Sequence, residues 1–124
     1  MIVGSPAINI VTIADSGRVA SERLHMVVLR DCNLANYVVL ATIALSADRI
    51  YAGFRPAYWF SARDVKMGDH IILYSKEGKD SQGYRSDGHI NHFFFWGVKG
   101  EVGMFGMNAR AVLLEVSNWI TSGA

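Results

Sequence analysis

The chain has 124 residues, with 12 Lys and Arg against 11 Asp and Glu and a formal net charge of +1. Hydrophobic residues make up 51% of it and charged residues 19%, the latter below the ~25% usual for a globular domain, which argues against disorder and leaves a surplus of apolar surface to be hidden. The cations are scattered, which argues against nucleic-acid binding by phosphate neutralisation, and no apolar run reaches the ~18 residues of a membrane helix.

This length predicts one domain over residues 1–124, large enough to bury roughly two-thirds of its unfolded surface without staples. The single Cys32 leaves no internal disulfide, and the start MIVGSPAINIVTIADSG carries no basic segment ahead of an apolar run, so a reducing, cytoplasmic setting is expected.

In chain order, the first extended run is AINIVTIA (7–14), ended by DSGR. LHMVVLRD (24–31) follows, with His25, Val27 and Leu29 alternating against Met26, Val28 and Arg30. CNLAN makes a turn, YVVLATIAL (37–45) is a third strand, and AYWFS after Pro56 is a short fourth. In SARDVKMGD, Ser61 with Asp64 three residues on, closed by Gly68, predicts a single helical turn. HIILYS (70–75) is the next strand, a polar loop runs from Lys76 to Gly88, INHFFFWG is an aromatic strand, and ARAVLLEVSNW (109–119) is the last. About seven short β-branched and aromatic strands with one helical turn predict an all-β protein, an immunoglobulin-like antiparallel β-sandwich.

The run YWFSARDVKMGDHIILYSKEG, an aromatic strand and a Gly-rich loop into NARAVLLEV together resemble the lamin-tail domain, over about Leu24 to Val116. The matching pieces are Phe60 and Ser61, Gly68 with Asp69, Ala111 with Leu113, and Leu34, Tyr37 and Leu40 in CNLANYVVL. No Pro follows Phe60, and the corner reads GMFGMNA without the family's Trp-Asn pair or Gly-Asp. The resemblance implies an immunoglobulin-like fold and a binding or structural role without an active site.

Alternation puts Ile90, His92, Phe94 and Trp96 on one face of the aromatic strand and Asn91, Phe93 and Phe95 on the other. Both faces are apolar beyond His92, and YVVLATIAL is apolar on both sides as well. Such strands need cover on two sides, from the chain's own loops and termini or from a second subunit, for which a two-fold homodimer is the default. Lys and Arg do not interleave with the aromatics before Lys99, unlike a base-stacking platform.

His89 and His92 lie three apart in an extended run and so face opposite ways; without Cys or Glu near them no metal site is expected, although His70 could approach across strands. Cys32 sits in RDCN with Arg30 and Asp31 beside it, where a small buried turn cysteine is expected rather than a nucleophile, and Asp64, Asp69, Asp80, Asp87 and Glu77 show no spacing that selects a catalytic pair. Asp64 is expected to cap the helical turn and Asp69 to satisfy backbone donors after Gly68. Gly97, Gly100, Gly103 and Gly106 fit turns rather than a phosphate loop, while Met104 and Phe105 on that segment suit an adaptable contact surface.

These observations predict a non-enzymatic binding module without cofactor. It would self-associate as a homodimer or small homo-oligomer through Phe93, Phe95, Trp96, Met104 and Phe105. The alternative is a small-ligand-binding, even hydrolytic, protein with an aromatic pocket served by His92, Tyr84 and Asp87.

Overall fold

A computed structural model describes residues 6–46, 49–50, 56–100, 103–106 and 108–123. Strands β1 (Ile8–Ala14), β2 (Arg23–Val28), β8 (His70–Tyr74), β9 (Ser81–Tyr84) and β10 (Ile90–Phe95) form a five-stranded sheet in the order β1-β2-β8-β10-β9. Strand β4 (Tyr37–Ser46) pairs with β11 (Ala109–Glu115) on one side, and with β5 (Arg49–Ile50) and β6 (Ala57–Trp59) on the other. A two-residue ladder joins β3 (Cys32–Asn33) to β7 (Asp64–Val65). The all-β, mostly antiparallel sandwich expected from the strand pattern is the observed architecture, with seven strands of four residues or more among those described.

Period-two patterning builds the core. Leu24, Met26, Val28, Ile71, Leu73 and Phe94 point inward from the larger sheet and meet Tyr37, Val39 and Ala41 of β4, all nearly free of solvent contact. These residues form one hydrophobic cluster, as two sheets with apolar inner faces require. Strand β1 changes phase at a bulge: Ile10 pairs with Met26, Thr12 with His25, and Val11 is left over. Ile8, Ile10 and Ile13 therefore pack on the core, while Thr12 and Ala14 turn to the outer face.

Three local expectations are corrected. The helical turn predicted at Ser61–Gly68 does not form; a 3-10 turn forms instead at Leu34–Asn36, where the Asn33 side chain accepts from the Ala35 amide at 2.9 Å. Asp64, expected as a helix cap, accepts from the Asn33 side-chain amide across the β3–β7 ladder at 3.0 Å, a tertiary partner that outcompetes the local capping box. The polar loop expected between Lys76 and Gly88 contains β9, whose hairpin with β10 returns the chain between β9 and β8. That insertion makes β8 and β10 parallel, the one parallel pairing among the described residues.

Candidate functional site

The aromatic run resolves into two environments. Phe94 is fully buried, edge-on to Phe60 at 5.0 Å between ring centroids, with the Arg63 guanidinium 4.6 Å from its ring. Trp96 is half-buried against Tyr58 and Phe105. On the opposite side, Phe95 stacks on Tyr74 at 5.3 Å with planes 10° apart. Gly78 of the preceding loop sits so close to Phe95 that a Cβ there would run into the ring. The chain thus covers much of this strand with its own residues.

Phe93 faces a shallow groove of about 370 Å³ on the outer side of the larger sheet. Cross-strand register explains its floor: Thr12, His25, Ile72 and Phe93 lie in one row, with Arg23 and Tyr74 in the next. Arg85, from the β9–β10 hairpin, closes one end; its Nη1 donates to Asn91 Oδ1 at 2.9 Å and its Nε meets Asp87 at 3.3 Å. At the other end Arg23 pairs with Asp15 at 3.1 Å. His25 Nε2 and His70 Nδ1 are hydrogen-bonded at 2.6 Å, because β2 and β8 place the two residues as diagonal neighbours on this face. Both imidazoles have pKa values below the ordinary 6.5, first through burial and then through Arg85; His25 and Arg23 add to these, and Asp87 opposes the shift on His70.

Two further polar clusters are buried. His92 Nε2 and Asp69 Oδ2 are 2.9 Å apart, and Asp69 also accepts from the amides of Lys66 and Ile90, as its expected role after Gly68 requires. Burial works against this carboxylate, but the His92 hydrogen bond and the two amides together hold its pKa below the usual carboxylate range. The Nδ1 of His92 lies 3.4 Å from Arg63 Nη1. Since guanidinium only donates, Nδ1 accepts and the proton sits on Nε2 toward Asp69. The second cluster is Glu22, which has no solvent exposure and accepts from Ser75 Oγ and from the amides of Gly17, Met104 and Phe105. A Cβ on Gly103 would collide with this carboxylate, so the glycine lets the 103–106 backbone close on Glu22.

The outer face of the smaller sheet is different. Leu114, Val38 and Trp59 stand in one cross-strand row, and Val112, Leu40 and Ala57 in the next. Leu114 is 41% exposed and Trp59 45%. Trp119 packs edge-on to Trp59 at 4.9 Å and, with Ala35, Asn36 and Phe60, borders a second groove of about 320 Å³. Arg110 is the one charged residue that β11 contributes to this face. Toward its other end, Thr42 is buried.

The structure separates the residues singled out from sequence. Phe93 and Phe95 share the outer face of the larger sheet, whereas Trp96 packs beneath the other side. Phe105, expected on a contact surface, is 1% exposed and belongs to the core, because its amide is tied to Glu22; Met104 is half-buried beside it. His92 is locked to Asp69 in the interior, Tyr84 is 87% exposed, and Asp87 bonds Arg85 and the His89 amide. These three do not converge, and the groove lies on the face opposite His92. Sequence reasoning passed over Glu22, Arg23, His25 and Arg85. For His25 and His70 a signal was present: each is a polar residue at an outward position of an otherwise apolar strand.

No protein-family model matches the chain, and no curated protein is significantly similar to it. Among the described residues no helix is long and apolar enough to cross a membrane, and no group of three or more His, Cys, Asp or Glu is placed to hold a metal ion.

Proposed function

We propose that the chain is a non-enzymatic binding module that pairs with a second copy of itself through the outer face of its four-stranded sheet. The observation that carries this is the row Leu114–Val38–Trp59, extended by Trp119: exposed Leu114, Trp59 and Trp119 stand around half-buried Val38. Contiguous apolar surface of this kind marks interfaces, and a two-fold axis sets the same patch against itself. The sandwich is read as immunoglobulin-like and the module as lamin-tail-like, a class whose domains bind rather than catalyse. The free thiol of Cys32 suits a reducing, cytoplasmic setting. Neither histidine cluster favours catalysis: His92 is held between Asp69 and Arg63, and His25 and His70 are each other's partners.

Light scattering over a wide concentration range tests the proposal. The expected mass is near twice 13.7 kDa, falling to the monomer in Leu114→Lys, whose side chain is exposed enough to change without unfolding the chain. A wild-type mass of one chain at every concentration refutes the dimer.

A further inference from the structure

We propose that the groove on the outer face of the five-stranded sheet binds a small, flat organic anion, its charge against Arg85 and the histidine pair and its body against Phe93. This site lies on the sheet opposite the proposed self-association face and does not depend on that reading.

Size and lining come first. The groove measures about 370 Å³, within the roughly 300–1,000 Å³ of small-molecule sites, and like them it has an apolar floor with few polar groups. Ile72, Tyr74 and Phe93 make the floor, with the Tyr74 and Phe93 rings 6.5 Å apart and inclined by 32°. Tyr74 is stacked on Phe95 and has Lys76 Nζ 5.0 Å from its ring centroid, so Phe93 supplies the aromatic surface for a flat ligand. Thr12 and Asn91 supply neutral hydrogen-bonding groups at its edges.

Charge fixes the sign of the ligand. Arg23, Arg85 and His25 line the groove and no carboxylate does. Asp15 and Asp87 neutralise the arginines from outside, but as half-exposed ion pairs they hold weakly. The contacts of Arg85 use Nε and Nη1, and no described residue engages Nη2, leaving part of its planar fork for a carboxylate. A metal cation is disfavoured. The two imidazole nitrogens bond directly to each other at 2.6 Å, arginines flank them, and no third ligating group joins them among the described residues.

The histidine pair makes binding proton-linked. Arg85 faces both rings, Arg23 faces His25, and Asp87 and His89 face His70. The arginines oppose the added proton that charges the neutral pair; a bound anion offsets them and favours it. Affinity therefore rises as pH falls through the histidine range.

The test uses benzoate, its uncharged isostere benzamide and inorganic phosphate, titrated into the full chain and followed by amide NMR at about pH 5.5 and 7.5. Benzoate is expected to saturate with shifts centred on His25, His70, Ile72, Arg85 and Phe93, and to bind at least ~3-fold more tightly at the lower pH. Benzamide should not saturate, and phosphate should bind more weakly than benzoate. Arg85→Gln, with the remaining spectrum unchanged, should weaken benzoate roughly ten-fold, the loss of one charge-assisted hydrogen bond, and His25→Asn should flatten the pH dependence. Equal titration by benzoate and benzamide, shifts centred elsewhere, or no saturation by ~10 mM benzoate, weaker than any specific site of this kind, overturns the proposal. Phosphate matching benzoate overturns the flat-body assignment. Since the wild-type comparison decides by itself, a failure of Arg85→Gln to fold does not rescue the idea.

Discussion

Replacing Glu22 by alanine should cost this domain a large part of its stability. The side chain is wholly buried and accepts from the Ser75 hydroxyl and from three amides, those of Gly17, Met104 and Phe105. A buried donor that loses its acceptor costs about 1–3 kcal/mol, and bonds to a charged acceptor stand at the upper end. Water can reach the half-buried Gly17 and Met104 amides but not the buried Phe105 amide or Ser75 hydroxyl, so the net loss should be about 4–6 kcal/mol. A single domain has about 5–15 kcal/mol in total; Glu22→Ala should therefore be marginally folded. Glu22→Gln keeps the shape and one acceptor oxygen but points an NH2 at amide donors, and should lose about 2–3 kcal/mol. Urea denaturation of the wild type and both variants measures these values, and hydrogen exchange at Met104 and Phe105 should quicken in step. Gly103→Ala should act on the same contact, because its Cβ meets the Glu22 carboxylate. A double-mutant cycle with Glu22→Gln should then show coupling rather than additivity. A loss under ~1 kcal/mol for Glu22→Ala would refute the view that this carboxylate organises the loop.

Other consequences are smaller. His25 and His70 have folded pKa values below 6.5, so the unfolded chain binds more protons just below that pH. Their contribution is complete above pH 6.5 and is lost as pH falls toward the folded values. Asp69, also lowered from 3.8, keeps its contribution above that pH and loses it as pH falls through its folded pKa, so melting temperature should drop in two stages on acidification; a flat profile from about pH 7.5 to 5.5 would contradict the first. The Cys32 thiol is pushed up by burial, with Glu115 and Asp31 adding to this against Tyr37 and Arg30. Iodoacetamide at neutral pH should therefore modify it more slowly than a free cysteine peptide, and an equal rate would count against its half-buried placement. Gly78→Ala should displace the Phe95 ring and cost about 1 kcal/mol, visible as altered ring shifts of Phe95 and Tyr74; an unchanged spectrum would deny the close packing.

Alternation carried the strands that have an apolar side. Leu24, Met26 and Val28 of β2, and His92 with Phe94 of β10, point where period two puts them. It could not find β9, because Ser81, Gln82 and Gly83 have no apolar side to reveal; that strand exists because β10 offers it a ladder. The Ser61–Gly68 turn was misread since Asp64 bonds to Asn33, 31 residues away, and a local motif cannot announce a distant partner. The groove was illegible for the same reason. His25 and His70 meet only because β2 and β8 are neighbours, which no spacing in the chain states. Glu22 gave even less, since its donors come from Gly17, Ser75 and the 104–105 segment.

The two-sided apolar character of these strands is met differently in the two sheets, and the two proposals rest on that difference. On the larger sheet the second face is covered from within: Gly78 closes over Phe95, Tyr74 stacks on it, and polar residues on β1, β2 and the β9–β10 hairpin surround what is left. Cover of that kind leaves a small cleft with cations at its edge, suited to a small ligand and too polar for another sheet. On the smaller sheet, Val38, Leu40, Val112 and Leu114 alternate with core residues, Arg110 and Thr42 lie at one end of that face, and exposed Trp59 and Trp119 pack together at the other. Apolar surface buried there would be worth about 25 cal/mol per Å², which is the ground for the proposed pairing with a second copy. A charge introduced at Leu114 should therefore disrupt association without changing benzoate binding, and Arg85→Gln should do the reverse. If either substitution altered both readouts, the separation of the two faces would fail.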